Sequence, residues 1–300
     1  MWKSNRMNKR LAFLLFIIIL GGVFWFFKDS FLGSKLTDIS EPSVLQFEKV
    51  SEKVAEIVKR EIVAPPPLRV EKKATPKANL TPDGILAWTN AERKKAGLPL
   101  LTANSKLSAA ALAKAKDMFQ NQYFAHESPG GKGVGDLVAE ENYEFISVGE
   151  NLALGGFEND KALVDAWMNS PGHRANILGQ SWLEIGVAVG RGMFEGRDAW
   201  LAVQHFAKPL SACPQPDPNL KIGIESSEKK VGELTAMANQ LRAELENSQP
   251  KNRKEIAEYN QRVGEHNALA NQINTLVEAT KLLINTYNSQ IRALNQCIAE

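Results

Sequence analysis

Three side chains have the types that could share one piece of chemistry: His126 in YFAHESP, Glu150 in VGENLAL and His173 in WMNSPGHRANIL. Two imidazoles and a carboxylate are an adequate donor set for a divalent metal such as zinc. Three protein ligands with an open fourth position are the arrangement of a catalytic zinc. The three lie on separate segments, so only the fold can bring them together. His173 has the clearest local setting. The apolar, helix-like run Ala162, Leu163, Val164, Ala166, Trp167 stops at Ser170-Pro171-Gly172, and proline with glycine ends a helix and favours a turn. His173 therefore sits on a rigid corner, ahead of Ile177 and Leu178. For a general base the nearby candidate is Glu184, just before Ile185-Gly186-Val187. There is no HExxH, no serine elbow, and no cysteine between residues 80 and 209, which removes the chemistries those motifs carry. The GKGVG at Gly131–Gly135 lacks a preceding strand and the full dinucleotide fingerprint, so no nucleotide site is read there.

The elements that must position these groups occupy part of a 300-residue chain, long enough for about two domains. A net charge of +2 argues against a dedicated nucleic-acid binder. Two cysteines, neither in a CxxC pair, exclude a thiolate zinc site. Residues 1–10 are basic and acid-free, and Leu11–Phe27 follows without a charge. At ~1.5 Å per residue this run spans about 26 Å, the short end of a membrane crossing. It exceeds a signal-peptide apolar core, and no small-x-small cleavage site follows. The reading is a retained single-pass anchor with the N-terminus in the cytoplasm and everything after Lys28 outside. Within residues 28–79, Ser40–Ile62 has the apolar spacing of an amphipathic stalk helix, Pro65-Pro66-Pro67 ends it, and Leu68–Lys77 reads as an extended linker.

The globular domain is placed at residues 80–209. Helices are expected after Thr81 and over Asn104–Phe119, where Leu107, Ala111, Ala115 and Met118 fall on one face. Phe145–Leu154 reads as a strand carrying Glu150, and Asn159–Asn169 as the helix before the corner. Leu183–Val189 and Ala199–Phe206 read as strands joined by a loop at Gly190–Arg197. Alternation puts Leu201, Val203 and His205 on one face and Trp200, Ala202, Gln204 and Phe206 on the other, which makes His205 a sheet-face residue rather than a ligand. Residues 210–225 form a proline-rich connector. In residues 226–300 apolar positions step by threes and fours on either side of Asn247–Pro250, the pattern of a coiled-coil helical hairpin, a surface for a protein partner or self-association. His266 and Thr280 sit in that seam. Outside the cytoplasm, Cys213 and Cys297 are expected to pair. The return helix to Cys297 covers about 69 Å and the helix from Ser226 about 33 Å. An extended Cys213–Glu225 supplies the remaining ~40 Å. The alternative is a parallel dimer joined through Cys297.

The ordered set LAWTNAERKKAGLPLLTANSKLSAAALAKA, YFAHESP, GENLA, WMNSPGHRANIL, LEIGVAVG and WLAVQHF resembles the CAP superfamily of cysteine-rich secretory, antigen 5 and pathogenesis-related proteins, in its cysteine-free bacterial branch. The likeness covers about Leu80–Pro209. It implies an α+β fold, a three-layer α-β-α sandwich, outside the cytoplasm. It also implies a cleft of two histidines and two acids, with His126, Glu150 and His173 matching three of them. The second acid falls on Ser170, whose hydroxyl carries no charge; Glu184 is the candidate substitute. Members of this group are variously lipid binders, metal binders and proteases. The incomplete acid set favours an envelope binding module over the alternative, a metal-assisted hydrolase of envelope peptide or glycan.

Overall fold

A computed structural model describes residues 35–38, 61–71, 74–75 and 77–299. The anchor expected at Leu11–Phe27, and residues 40–60 of the helix expected over Ser40–Ile62, lie outside the described residues. Among the described residues no helix is long and apolar enough to cross a membrane. Those residues divide into two compact units, one holding the described residues from 61 to 215 together with Ile291 onward, the other holding residues 35–38 and Pro216–Gln290.

The first unit is built from β1 (Glu61–Val63), β2 (Leu68–Val70), α1 (Pro82–Lys95), β3 (Thr102–Ala103), α2 (Ser105–Asn121), α3 (Val134–Glu140), β4 (Phe145–Gly155), α4 (Asp160–Met168), α5 (Pro171–Ile177), β5 (Glu184–Phe194) and β6 (Arg197–Pro209). They form one mixed sheet in the order β1-β4-β6-β5-β3, with β2 also on β4. The central β4, β6 and β5 are antiparallel, while β1 and β2 run parallel to β4 along its outer edge. Ile62, expected at the end of a helix, is therefore in a strand. Leu68–Val70, expected in a linker, is extended but hydrogen-bonded to the sheet. The loop expected at Gly190–Arg197 is also shorter: only Glu195 and Gly196 separate β5 from β6, at φ of 47° and 73°. Positive φ at both positions is the two-residue turn that matches strand twist.

Alternation along the strands sorts the core onto two faces, as expected. Leu152, Leu154, Leu201 and Val203 pack with Ala111, Ala115 and Met118 of α2, and Val148 and Ala207 pack with Leu107 of α2 and Val134 and Val138 of α3. Ala153, Ile185, Ala202 and Phe206 face Ile85 of α1, Leu163 and Trp167 of α4 and Ile177 of α5. Helices thus cover both sides of the sheet. Their starts are fixed by side chains. The Thr81 hydroxyl accepts from the Gly84 amide at 3.0 Å, and Asn104 Oδ1 accepts from the Lys106 amide at 2.9 Å. Arg93, fully buried in α1, holds the end of α5 by donating to the carbonyls of Ile177 at 2.9 Å and Gly179 at 2.7 Å.

Cys213 and Cys297 are bonded within one chain, with Cα atoms 5.7 Å apart. Ile146 and Leu294 pack beside them, and Lys208 Nζ donates to the Cys297 carbonyl at 3.2 Å. The second unit holds two helices, α6 (Pro218–Glu246) and α7 (Arg253–Ala299), the latter continuing into the first unit. They run antiparallel around Val231, Leu234, Ala238, Ile273 and Val277, with Asp217 N donating to Gln290 Oε1 at 2.9 Å and Arg262 paired with Glu244. His266 and Thr280 are buried in the seam. The connector differs from expectation. Pro218 occupies the first turn of α6, where its missing amide costs nothing, and Asp217 caps it. The helix therefore starts before the expected Ser226. The lengths still close, because Arg262 of α7 lies opposite Glu244, so the first turns of α7 extend past the end of α6.

Candidate functional site

The site begins with a cross-strand pair. In the β4–β6 register Glu150 stands opposite His205 and Asn151 opposite Gln204. Glu150 points to the α2 side, as do Leu152 and Val203. Its carboxylate is fully buried and both oxygens are engaged: His126 Nδ1 lies 2.7 Å from Oε1 and His205 Nε2 lies 2.9 Å from Oε2. Burial alone would raise the Glu150 pKa. The hydrogen bonds from His126 and His205, with the nearby Lys114 charge, overcome it and hold the group at about 2. Lys114, buried on α2, donates to the His126 carbonyl at 2.6 Å and to Tyr123 Oη at 3.3 Å. Burial lowers the pKa of Lys114, against the pull of Glu150, Asp117 and Glu127. Tyr123, itself donating to Asp117, is pushed well above the usual tyrosine range by burial and that bond.

His126 carries the site outward, its side chain 18% exposed against none for Glu150. Its Nε2 lies 2.5 Å from the carbonyl oxygen of Pro65. An ionised carboxylate and a peptide carbonyl both only accept, so His126 donates from each ring nitrogen. Pro65 reaches it through a gap in the edge pairing. β1 is registered against Ser147–Gly149 and β2 against Ala153–Gly155, which leaves Ala64–Pro67 to pass over Glu150–Leu152 without strand pairing. Two glycines accommodate this passage: Gly172 of α5, where a Cβ would sit 2.6 Å from Pro65 Cβ, and Gly155 of β4, where it would sit 2.2 Å from the Val70 carbonyl oxygen at a φ of 142°.

His173 is buried at the head of α5, as its corner implied. Its Nδ1 lies 2.8 Å from Ser170 Oγ, and its Nε2 has no hydrogen-bond partner among the described residues. Burial, then the His126 charge, lowers its pKa to about 4, an effect only partly offset by the Leu152 carbonyl. The Asn151 amide donates to the His173 backbone carbonyl at 3.2 Å. Asn176 donates to Asn151 Oδ1 at 3.0 Å and to the Glu150 carbonyl at 3.2 Å.

Of the residues expected in the cleft, His126 and Glu150 are thus bonded to each other, and His173 and Ser170 form a second pair near enough for His173 to feel the His126 charge. Glu184 lies elsewhere. Its Oε2 accepts from Asn104 Nδ2 at 2.9 Å and from Tyr143 Oη at 2.5 Å. It stands opposite Ala207, whereas Gly186 is the residue opposite His205, so the start of α2 claims its carboxylate. His205, expected to be only a sheet-face residue, is that and also a partner of Glu150. Lys114 had the same hidden signal: it lies three residues after Ala111 and seven after Leu107, on the apolar stripe of α2. The donor set does not fit a metal as arranged. The protons of His126 and His205 face both Glu150 oxygens, and Pro65 closes the remaining His126 nitrogen. Among the described residues no three His, Cys, Asp or Glu side chains are grouped to hold an ion.

Residues 86–206 match the model of CAP, the Cysteine-rich secretory protein family. The chain is 39% identical over 116 residues to the Uncharacterized protein YkwD of Bacillus subtilis (strain 168), a match covering 39% of this chain and 43% of that one. It is 35% identical over 107 residues to the Uncharacterized membrane protein YlbC of the same strain, covering 36% of this chain and 31% of that one. The match thus spans less than half the length of either relative. Among solved structures, an extracellular protein containing a SCP domain from Bacillus anthracis str. Ames is 31% identical, with 42% of this chain and 39% of that chain covered and a TM-score of 0.37. A cysteine-rich secretory protein (SAV1118) from Staphylococcus aureus subsp. aureus Mu50 is 20% identical, with coverage of 42% and 38% and a TM-score of 0.33.

Proposed function

We propose that this chain, whose residues 86–206 match the CAP model, is a binding module of the cell envelope, anchored through Leu11–Phe27, which uses His126 as an N–H donor to carbonyl oxygens of its ligand. One observation carries this reading: both oxygens of Glu150 are occupied by His126 and His205, while His126 Nε2 already holds a peptide carbonyl. A carboxylate so placed fixes the ring that it holds, and each of its oxygens already accepts a hydrogen bond. Ser170 offers a hydroxyl where a second acid would stand, so no other carboxylate takes up proton transfer beside His173. A ring fixed by a buried carboxylate is a recognition device, since a charge-assisted donor favours carbonyl or carboxylate acceptors.

The metal-assisted hydrolase is a second reading because His173 Nε2 is buried and has no hydrogen-bond partner among the described residues. The two readings separate with purified full-length chain on isolated bacterial sacculi. Co-sedimentation that falls at least tenfold in His126→Ala, without release of soluble fragments, supports the binding module. Release of muropeptides that is lost in His173→Ala, with thermal melting unchanged, overturns it. Metal analysis of the same samples is expected to give far less than one zinc per chain. One zinc per chain, lost in His126→Ala, supports the hydrolase.

A further inference from the structure

Where β4 should be an open edge, the chain lays its own residues Glu61–Val70 along it. Three-residue strands lie at each end of this segment, with Pro65-Pro66-Pro67 between them. An edge strand is a template for another extended chain, and parallel addition there supplies main-chain hydrogen bonds whatever the sequence. Prolines suit the middle of such a segment, because they hold the chain extended and have no amide to leave unsatisfied. Pro65 is the buried residue among them, its carbonyl on His126 Nε2 and its ring against Gly172. Asn176 Nδ2 reaches the Val63 carbonyl at 3.4 Å. The groove therefore reads a peptide twice by its carbonyls and once by an apolar ring.

The fastenings at the far end are of another kind. Arg69 pairs with Glu195 at 2.7 Å and Arg197 with Glu71 at 3.1 Å, all four side chains substantially exposed. The Arg69 guanidinium also lies 5.7 Å from the ring centres of both Phe124 and Phe194. Exposed ion pairs hold weakly and are screened by salt, and short edge strands open more readily than central ones.

We propose that the β4 edge beside His126 is a docking groove for an extended, proline-containing peptide segment of a partner protein, and that Glu61–Val70 is a resident strap competing for it. The proposal rests on the binding-module reading and adds the ligand class and its control. A partner peptide gains access when the strap lifts, and its apparent affinity is reduced by the fraction of time that the strap is seated.

The test uses the full chain and a fluorescein-labelled synthetic peptide, EIVAPPPLRV, which copies residues 61–70, with a scrambled peptide as control. Val63 and Leu68 pack against the core from the strap, so Val63→Asp/Leu68→Asp loosens the strap and leaves the groove residues unchanged. By fluorescence polarisation this variant is expected to bind the peptide at least tenfold more tightly than wild type and tenfold more tightly than it binds the scrambled control. Equal binding by variant and wild type, or no preference over the scrambled peptide, overturns the proposal. If the variant does not fold, amide exchange on wild type decides. Ile62, Val63 and Leu68–Val70 exchanging at least 100-fold faster than Val148–Leu154 supports a strap that lifts; equal protection overturns it. If the peptide fails while His126-dependent sedimentation with sacculi persists, the strap proposal falls and the binding module stands.

Discussion

Two neighbouring residues of β4 put opposite chemistries on the two faces of one sheet. Glu150 turns toward α2 and meets His205, while Asn151 turns toward α1 and α5 and meets Gln204. Both pairs are buried. On the amide face every step is neutral and closed. Gln204 Nε2 donates to Thr89 Oγ1 at 2.7 Å, Thr89 donates to the Ile85 carbonyl at 2.8 Å, and Asn176 closes the other end on Asn151. On the acid face the carboxylate is charged, its pKa displaced, and its chain of bonds ends at the partly exposed His126 imidazole. A satisfied neutral network makes the core specific. A charged one with an outlet at the surface has something to offer a ligand. The contrast assigns architecture to one face and recognition to the other.

Removing each pair separately gives the largest expected effect. Glu150→Gln leaves His126 and His205 without their anion, and breaking a buried ion pair on one side costs about 3–5 kcal/mol. Gln204→Leu takes one partner each from the Thr89 hydroxyl and the Asn151 amide, which keep their other bonds, at a cost of about 1–3 kcal/mol. Urea unfolding of both variants at pH 7 measures the difference. A smaller loss for Glu150→Gln than for Gln204→Leu contradicts the assignment of charge to the α2 face.

Acid titration separates the two histidine settings, with an effect of up to about 3 kcal/mol. His173 is held neutral, its folded pKa about 4 against an ordinary value near 6.5. The unfolded chain binds this proton first as pH falls. The contribution of His173 is therefore complete above about pH 6.5 and is lost as pH drops toward 4. Glu150 works in the same direction lower down: its stabilisation is present above the ordinary carboxylate range and lost as pH falls toward about 2. Stability should thus decline in two stages, and His173→Gln should flatten the upper one. A wild-type stability that does not change between pH 6.5 and 4 contradicts a buried neutral His173.

The same comparison explains what the sequence made legible. The helices over Asn104–Phe119 and Asn159–Asn169 and the strands around Glu150 and His205 were readable because each carries a sustained apolar period. Alternation placed His205 correctly on a face with Leu201 and Val203. What it lacked was register: one strand's pattern cannot say that Glu150 lies opposite, so a partner was read as a bystander. Lys114 was hidden for a related reason, since a charged residue on an apolar stripe has meaning only once the anion beneath it is known. Glu184 was misplaced because nearness in sequence to a strand motif stood in for a position across the sheet. The strap was illegible altogether. Three-residue strands carry no period, and proline before an edge strand reads equally as a linker. The Cys213–Cys297 pairing was legible, but the start of α6 was not, because Pro218 both forbids a helix interior and favours a helix first turn.

The smallest expected change in stability is the sharpest test of what Ser170 does. Ser170 stands at the N-cap position of α5 without a side-chain bond to the helix amides, its Oγ 2.8 Å from His173 Nδ1. Aspartate is an equally good cap, so Ser170→Asp should alter stability at pH 7 by under about 1 kcal/mol. Its charge acts instead on the histidine. An opposite charge within hydrogen-bond reach favours the protonated ring by about 1–3 pH units, lifting His173 from about 4 toward or past the ordinary histidine value. The upper stage of the acid decline should then shrink or vanish, because folded and unfolded chains take up the proton at similar pH. NMR titration of the His173 ring in both proteins reads this directly. The variant also supplies the missing acid beside His173, without freeing either Glu150 oxygen or moving Pro65. It should therefore gain no stoichiometric zinc while the strap is seated, and should acquire it, if at all, only when combined with Val63→Asp/Leu68→Asp. Stoichiometric zinc in Ser170→Asp alone would mean that the charged face is open to metal, and that the lack of an acid at this position, not the strap, is what withholds it.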